Sequence, residues 1–274
     1  MKTIIVPTDF SSTAANAVDY AIGMAKGINA SIILLHTYLV PVSITTDTPV
    51  VVVAEEDLRR SAEAHLHTLK TEVEKKAGDL KIYSELKLGD TVYELEELCD
   101  AVKPFAVIMG TGGHSDIEKT FFGSTTLKAI RHLTWPVIAV PPNKKYSAIK
   151  KIGFACDFKK VVESTPSELI KDFVKSFNAE FHILNVDYKH KNFNADTPEQ
   201  SLLIDTLFEE LHPVYDFIES EDMEQGVNNF AEKNNLDLVI TIPKKHTMLD
   251  NLFRKSMTRK LIFHTHVPVM CVHE

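Results

Sequence analysis

Residues 4–10 read Ile-Ile-Val-Pro-Thr-Asp-Phe, and residues 152–158 read Ile-Gly-Phe-Ala-Cys-Asp-Phe. Each segment is a short apolar run that ends in an Asp-Phe pair, a pattern typical of a buried strand followed by a turn. A second pair of segments repeats in the same way, because Trp135–Val140 has a counterpart in Val267–Val272. A unit of roughly 140 residues is too long for a solenoid repeat. The pattern therefore predicts two copies of one domain.

The length of the chain agrees with this duplication. A chain of 274 residues is long enough for two ordinary domains, and 44% hydrophobic residues supply enough apolar material for two modest cores. We expect the first domain at residues 1–142 and the second at residues 148–274, with the polar segment 143–147 as the linker.

The composition argues against several classes of protein. There are 30 Lys and Arg residues against 38 Asp and Glu residues, for a net charge of −8, whereas non-specific nucleic-acid binding needs a basic surface. No stretch approaches the ~20 apolar residues of a membrane span. The three cysteines are widely spaced and form no CxxC motif, so neither a disulfide framework nor a zinc ribbon is expected. These features predict a cytoplasmic protein without a membrane or nucleic-acid partner.

Strand and helix patterns alternate within each half. Apolar residues recur at helical spacing, as in Ala14, Val18 and Ala21, and short β-branched runs lie between the helical stretches. The predicted strands are Ile4–Val6, Ser31–His36, Ile82–Leu88, Ala106–Met109 and Val137–Val140, then Lys151–Cys156, Phe181–Val186, Asp216–Glu219, Leu238–Thr241 and Val269–Val272. Five strands separated by four helices in each half predict an α/β fold with two tandem, doubly wound, Rossmann-like parallel sheets.

A glycine-rich segment follows the fourth strand of the first half. It reads Met109-Gly110-Thr111-Gly112-Gly113, and after nine further residues the sequence continues as Gly123-Ser124-Thr125-Thr126. Ligands of open parallel sheets bind beyond the carboxyl ends of the strands, where glycines allow positive φ and close backbone approach. Free N–H groups and hydroxyls at a helix start bind anions, but one helix end contributes only ~0.3–1 kcal/mol. Several groups acting together predict a polyphosphate site; the alternative is that the glycines only turn the chain and cap a helix.

These motifs support a resemblance to a known family. The first half resembles the universal stress protein domain in its ATP-binding subclass, which shares the fold of the adenine nucleotide α-hydrolase-like domains. The resemblance rests on Val6-Pro7-Thr8-Asp9-Phe10-Ser11, Leu35-His36, the spacing Gly110-x2-Gly113-x9-Gly123-Ser124-Thr125-Thr126, and Trp135–Val140. The second half is similar in strand order and end motifs, so the whole chain resembles a tandem universal stress protein.

The resemblance implies an internal pseudo-dimer and a bound nucleotide. The two terminal strands, Val137–Val140 and Val269–Val272, would pair and cover each other's edges. The first domain would bind one ATP, with Mg or Mn at the phosphates left open. Pairing of two whole chains into a homodimer is also left open, and the protein partner is unknown.

The resemblance further implies the roles of single residues. Asp9 would contact the adenosine part of ATP, with capping of the following helix as its other role. Pro7 and Thr8 would shape the adenine wall, and Thr37 would offer backbone groups to the adenine edge. The ribose and phosphates would be held by Met109, Gly110, Gly113, Gly123, Ser124, Thr125 and Thr126. Gly112 departs from the family, which often places a larger polar residue at that position.

The second half lacks most of these features. Its residues Ile242, Lys245 and Lys255 align with Gly110, Gly113 and Gly123. Side chains therefore occupy positions where close backbone approach is needed, and Pro243 removes an amide donor. The alternative is that these lysines attract anions by charge, but salt screens exposed charges beyond ~8–10 Å. We expect one nucleotide per chain and a mainly structural second domain.

The predicted function is that of an ATP-binding protein of the stress response, which acts by binding and regulation. An efficient hydrolase needs a positioned base and metal-holding carboxylates. Near the phosphate-binding residues the sequence offers only Asp116 and Glu118, and no Walker lysine. The alternatives are a slow ATPase, a protein that phosphorylates its own Ser124–Thr126 cluster, and a nucleotide-free dimerisation or interaction module, and fold alone does not separate them. His264 and His266 lack a third ligand nearby in sequence, so no metal site is predicted.

Overall fold

The computed structural model describes residues 1–40, 55–112, 123–158, 161–188, 197–243 and 265–273. The strands in these ranges are β1 (Thr3–Pro7), β2 (Ser31–Tyr38), β3 (Ile82–Leu88), β4 (Ala106–Gly110), β5 (Val137–Val140), β6 (Lys151–Ala155), β7 (Glu180–Tyr188), β8 (Val214–Ser220), β9 (Leu238–Thr241) and β10 (Val269–Cys271). The helices are α1 (Ser12–Ile28), α2 (Glu55–Ala77), α3 (Thr91–Val102), α4 (Ser124–His132), α5 (Val161–Ser164), α6 (Ser167–Phe177), α7 (Thr197–Phe208) and α8 (Met223–Lys233), with a 3₁₀ turn at Glu209–Leu211. Every predicted strand overlaps one of these strands.

The strands form one sheet in the order β3-β2-β1-β4-β5-β10-β9-β6-β7-β8. Neighbouring strands are parallel within each half. The halves join through β5 and β10, which pair antiparallel with Ile138 opposite Met270. The predicted α/β fold and the predicted pairing of the terminal strands are confirmed.

The strand order reverses between β1 and β4 and again between β6 and β9. Connections diverge to opposite faces of the sheet at such places, and crevices form beyond the carboxyl ends of the two strands. We call the first place, formed by residues 7–9, 110–112 and 123–126, the first switch point. Its counterpart in the second half, formed by residues 155–158 and 241–243, is the second switch point.

Local capping explains where α1 and α3 begin. Ser11 precedes α1 with an extended backbone, and its hydroxyl accepts a hydrogen bond from the Ala14 N–H at 3.2 Å. Asp90 caps α3 by accepting from the Val92 N–H at 2.9 Å. Serine and aspartate are both preferred at N-caps, so α1 and α3 start where the local sequence directs them.

The core consists of two apolar layers, one on each face of the sheet, and each layer contains residues from both halves. Ile138 and Met270 belong to one layer, while Val137 and Cys271 belong to the other. Burying one such side chain completely contributes about 1.5–3 kcal/mol. Because both layers continue across the β5–β10 pair, we expect the two halves to fold as one unit.

Two further sequence expectations concern membranes and metals. None of the helices in the described part of the chain is long and apolar enough to cross a membrane. In the same ranges, no cluster of three His, Cys, Asp or Glu side chains is arranged to hold a metal ion. His266 is exposed and lies 3.9 Å from a Glu232 carboxylate oxygen, while His264 lies outside the described residues.

Candidate functional site

The first switch point brings together the ends of β1 and β4. These strands are direct neighbours, with Ile4 opposite Ala106 and Ile5 opposite Val107. Pro7 and Met109 are buried at the strand ends, and Asp9 beyond them is exposed. Pro7, Asp9 and Met109, which the sequence assigns to a ligand, therefore lie at the same edge of the sheet.

Gly110 is required by packing within the protein. A Cβ at this position would lie 2.5 Å from the Thr13 Cγ2 and 2.6 Å from the Thr13 carbonyl oxygen. The Thr13 hydroxyl also donates a hydrogen bond to the Gly112 carbonyl at 3.1 Å. The first turn of α1 is thus held directly against the end of β4, and the absence of a Gly110 side chain allows that approach.

Gly112 and Gly123 have the left-handed backbone that the sequence predicts for glycines here, with φ of +70° and +38°. A Cβ on Gly123 would lie only 3.5 Å from the Gly112 nitrogen. The two glycines that flank residues 113–122 are therefore neighbours. Gly113, Asp116 and Glu118 lie outside the described residues.

Helix α4 begins directly after Gly123, and no described side chain caps its N-terminus. Ser124 and Thr125 are exposed in its first turn. Thr126 is buried, and its hydroxyl donates a hydrogen bond to the Gly110 carbonyl at 2.9 Å. The three hydroxyls thus differ, because two are open to a ligand and the third ties α4 to the end of β4.

The turn after β1 is fixed by its own hydrogen bonds. The Asp9 carboxylate accepts from the Ser11 N–H at 3.0 Å, so it supports the start of α1 while Ser11 acts as the cap. His36 Nδ1 lies 2.7 Å from the Thr8 carbonyl oxygen and must donate to it, because that oxygen only accepts. Thr37 is half-buried in β2, with its hydroxyl 2.6 Å from that of Thr91, which leaves its side chain engaged within the fold.

Sequence reasoning missed two residues that lie beside the first switch point. Thr13 was not predicted to contact Gly110, since nothing in the local pattern shows which helix turn faces a strand end. Phe10 has a left-handed backbone, with φ of 62°, and its ring centroid lies 4.4 Å from that of His36. The available signal was the Asp-Phe pair in both halves, because Phe158 has a similar φ of 51°.

Residues 1–141 and residues 148–273 each match the Universal stress protein family. The chain belongs to the universal stress protein family. A universal stress protein of Methanocaldococcus jannaschii is 29% identical to it over 147 residues, which are 53% of this chain and 84% of that protein.

Two solved structures are similar over nearly the whole chain. The crystal structure of a universal stress protein from Archaeoglobus fulgidus covers 99% of this chain and 98% of its own, at 19% identity and a TM-score of 0.75. A Pseudomonas aeruginosa protein of unknown function covers 99% of this chain and 92% of its own, at 13% identity and a TM-score of 0.63. At these identities the likeness shows a shared tandem fold and nothing about ligands.

The second universal stress protein domain closes its switch point with an aromatic ring. Phe158 is only 3% exposed and packs into the core. Its backbone N–H donates to the Cys156 sulfur at 3.5 Å, and the Asn185 side chain donates to the Cys156 carbonyl at 3.0 Å. Ile242, which aligns with Gly110, also packs against the core. Lys245 and Lys255 lie outside the described residues.

Several ionisable groups in the core of this universal stress protein have a raised pKa because they are buried. Burial raises the pKa of the Cys99 thiol to about 12. Burial also raises the pKa of the Cys271 thiol and of the Tyr20 phenol. The nucleophilic form of cysteine is the thiolate, so these two thiols are held in their unreactive form.

Proposed function

We propose that the first domain binds one adenine nucleotide, in the first instance ATP, and that the protein acts as a nucleotide-binding regulator in the stress response. The observation that carries the proposal is the open N-terminus of α4 at the first switch point. Its early N–H groups have no partner within the helix, Ser124 and Thr125 are exposed beside them, and no described side chain caps them. Such a helix start favours phosphate groups.

Some residues of the proposed site would contact the nucleotide, and others would shape the crevice around it. Ser124, Thr125 and the amides after Gly123 would bind phosphate oxygens, together with Gly113. Asp9 is exposed and has a second carboxylate oxygen available for a ribose hydroxyl or the adenine amino group. Pro7, Thr8, Thr37, Met109, Gly110 and Thr126 would shape the crevice, because their side chains are buried or engaged, or absent at Gly110.

In this proposal the nucleotide supplies negative charge and a purine ring, and the residues around it change their relative positions when it binds. Gly112 and Gly123 are adjacent, so a phosphate held between them would fix the relative position of β4 and α4. We propose that this change alters the surface offered to a protein partner. Any Mg or Mn ion would be held mainly by the phosphates, since the described residues contain no ready metal cluster.

We propose residues 148–274 as the second domain, joined through residues 143–147, and we assign it a structural role without a nucleotide. Phe158 and Ile242 support this assignment, because at the second switch point Phe158 is buried in the core and Ile242 packs against it. One nucleotide per chain is therefore expected, and calorimetric titration with ATP measures that ratio directly.

The main test is the stabilisation of the folded chain by ATP. A ligand present at 1,000 times its dissociation constant raises the free energy of unfolding by about 4 kcal/mol, and we expect a shift of this size with ATP. Replacing Ser124 and Thr125 together by Ala should weaken ATP binding about tenfold or more, since a hydrogen bond to a charged group is worth ~1.5–3 kcal/mol. Ser256→Ala, at the sequence counterpart of Ser124, is the matched control and should bind like the parent chain.

A nucleotide-free interaction module is the second candidate, and two contacts favour it. Gly110 is explained by Thr13 alone, and the Thr126 hydroxyl is already bonded to the Gly110 carbonyl. If ATP, ADP, AMP and cyclic AMP all leave the unfolding transition unchanged, this second candidate replaces the first. Phosphate release at ordinary enzyme rates of about 1 per second or faster, or phosphate attached to Ser124 or Thr125, would instead support the enzyme alternatives.

A further inference from the structure

A cavity of about 380 Å³ lies between the two domains, at the edge of the sheet opposite to the first switch point. It is formed where β1, β4 and β5 begin, against α6 of the second domain. Its apolar walls are Phe105, Trp135, Pro136, Leu169 and Phe173. The volume falls in the ~300–1,000 Å³ range of small-molecule sites.

The cavity continues an aromatic seam between the domains. Phe105 stacks on Phe173 with ring centroids 5.2 Å apart and planes inclined by 8°, and Phe177 lies 6.4 Å from Phe105. The same seam continues to α1, because a Cβ on Gly27 would lie 4.0 Å from a Phe177 ring carbon. Aromatic rings therefore form the part of the domain contact that lies between Phe105 and α6.

At the α1 end of this seam the space is occupied by an aromatic side chain of the protein itself, that of Tyr146. Tyr146 packs edge-on against Tyr20, with centroids 5.3 Å apart. A Cβ at Gly23 would lie 2.4 Å from a Tyr146 ring carbon, and one at Gly27 would lie 3.0 Å from its hydroxyl. The two glycines thus leave room for a phenol ring. At the other end of the seam, Phe105 and Phe173 line the cavity.

The charges at the cavity favour an anionic substituent on its occupant. Lys2 forms an ion pair with Asp172 at 2.9 Å, bonds to the Ser176 hydroxyl, and lies 4.3 Å from the Phe105 ring centroid. Asp172 is therefore neutralised by a cation within the protein. Lys103 also lines the cavity and is exposed, and it forms no ion pair with the residues that the structure describes. Lys103 therefore offers a positive charge beside the aromatic wall.

We propose that this cavity binds small aromatic carboxylates. The ring would lie among Phe105, Trp135 and Leu169, as the Tyr146 ring does against Tyr20 at the α1 end, and the carboxylate would face Lys103. Aromatic rings in such contacts gain free energy beyond the simple burial of their surface. The site would be separate from the proposed nucleotide site, because the two lie at opposite ends of the strands.

The test uses the single tryptophan of the full-length chain. Trp135 is the only tryptophan, so a ¹⁵N-labelled protein gives one indole N–H resonance, from the group that donates to Asp100 at 3.2 Å. We expect 2-naphthoate to shift this resonance in a saturable way. Leu169→Phe adds bulk to the cavity and should weaken binding about tenfold or more. Leu202→Phe, on an exposed face of α7, is the matched control and should have no effect.

A substitution of Lys103 tests the proposal that the ligand carries a carboxylate. Lys103 has φ of 52°, and Asn tolerates this backbone well, so Lys103→Asn should keep the fold. An exposed charge contact is worth up to ~1 kcal/mol, so we expect 2-naphthoate to bind about three- to fivefold more weakly and neutral 2-naphthamide to bind as before. Equal 2-naphthoate affinity in Lys103→Asn would overturn the assignment to carboxylates.

Two other results would overturn the site itself. The first is an indole resonance that 2-naphthoate does not move, or moves equally in the Leu169→Phe variant. The second is displacement of 2-naphthoate by ATP, since that result would mean one shared site. If ATP binds nowhere, the proposed function fails, while the titration with 2-naphthoate remains a separate test of the cavity.

Discussion

Phe10 and Phe158 stand at the same place in the two domains, yet one ring is open to solvent and the other is not. Both follow an aspartate after the first strand of their domain, with φ of 62° and 51°. Phe10 is 37% exposed and rests on His36, while Phe158 is 3% exposed and lies in the core. The same backbone geometry therefore supports an open switch point in the first domain and a filled one in the second.

The helices that follow these turns differ in a related way. In the first domain α1 runs unbroken from Ser12, and its first turn packs on Gly110. In the second domain the chain forms the four-residue α5 and then α6, with Pro166 just before Ser167. Proline disfavours a continuous helix at this point, so the turn that would meet Ile242 belongs to a separate short helix.

The comparison teaches that the duplicated fold depends on the sheet and not on the glycines. Both domains keep their strand order and meet through β5 and β10. The second domain has a side chain where the first has Gly110, and it remains a universal stress protein domain. Four experiments sharpen or break this comparison, from the largest expected effect to the smallest.

The largest effect is expected at the strand pair that joins the domains. Met270→Asp places a carboxylate without a partner in a fully buried position opposite Ile138, which should cost about 4 kcal/mol or more. Because the core layers are shared, the Trp135 fluorescence transition of the first domain should shift to lower urea together with the circular dichroism. Thr134→Asp, at an exposed turn, should leave both transitions in place. An unshifted Trp135 transition in Met270→Asp would show that the domains fold independently.

The two phenylalanines should differ clearly when truncated. Phe158→Ala removes a buried ring and should lower the free energy of unfolding by about 3 kcal/mol or more. Phe10→Ala removes a partly exposed ring and should cost less than about 1 kcal/mol, as surface substitutions usually do. Urea denaturation measures both values. Equal costs would mean that the two switch points are packed alike, contrary to the structure.

Gly110→Ala tests the contact between β4 and α1. The added Cβ meets the Thr13 carbonyl oxygen, which is backbone and cannot rotate away, so we expect a loss of about 2 kcal/mol. Gly78→Ala is the control, because its φ is +70° but no atom lies within 4 Å of the added Cβ. That variant should lose only about 1 kcal/mol from backbone strain. A Gly110→Ala variant as stable as the parent chain would remove the packing explanation for this glycine.

The smallest effect concerns the buried thiol of Cys99 at alkaline pH. Burial raises its pKa from 9.0 to about 12, so the unfolded chain loses this proton first and stability falls as pH rises above about 9. Between about pH 8 and about pH 10 this single group should cost about 1.4 kcal/mol. Cys99→Ala should lack that part of the decline, and it introduces the residue found at the aligned position of the second domain, Ala231. Identical pH profiles for the two proteins would contradict the raised pKa.

Much of the fold could be predicted because local sequence patterns determine its strands and helix starts. Short β-branched runs such as Val137–Val140 are strands for reasons of shape and burial, and Ser11 and Asp90 cap helices through bonds to residues two or three positions away. The pairing of Val137–Val140 with the last strand followed from an edge that needs a partner. The left-handed backbone at Gly112 and Gly123 followed from glycine itself.

The details of the site could not be predicted in the same way. The Thr126 hydroxyl donates to the Gly110 carbonyl, a contact that the sequence pattern did not show, because the first turn of α4 lies over the end of β4. Asp9 was expected either to contact adenosine or to cap a helix, and its bond to the Ser11 N–H supports the start of α1 and leaves one carboxylate oxygen open. Both outcomes depend on how a helix is seated on the sheet.

The sequence by itself determined the two copies, their strands, the parallel direction of those strands and the glycines of the first switch point. These features follow from periodicity, edge pairing and backbone sterics within short segments. Only the tertiary structure decided that Gly110 faces Thr13, that the Phe158 ring is buried while the Phe10 ring is exposed, and that a cavity forms beside Trp135. These features arise where residues far apart in the chain meet, and the space left between packed helices and a sheet depends on all the side chains around it at once.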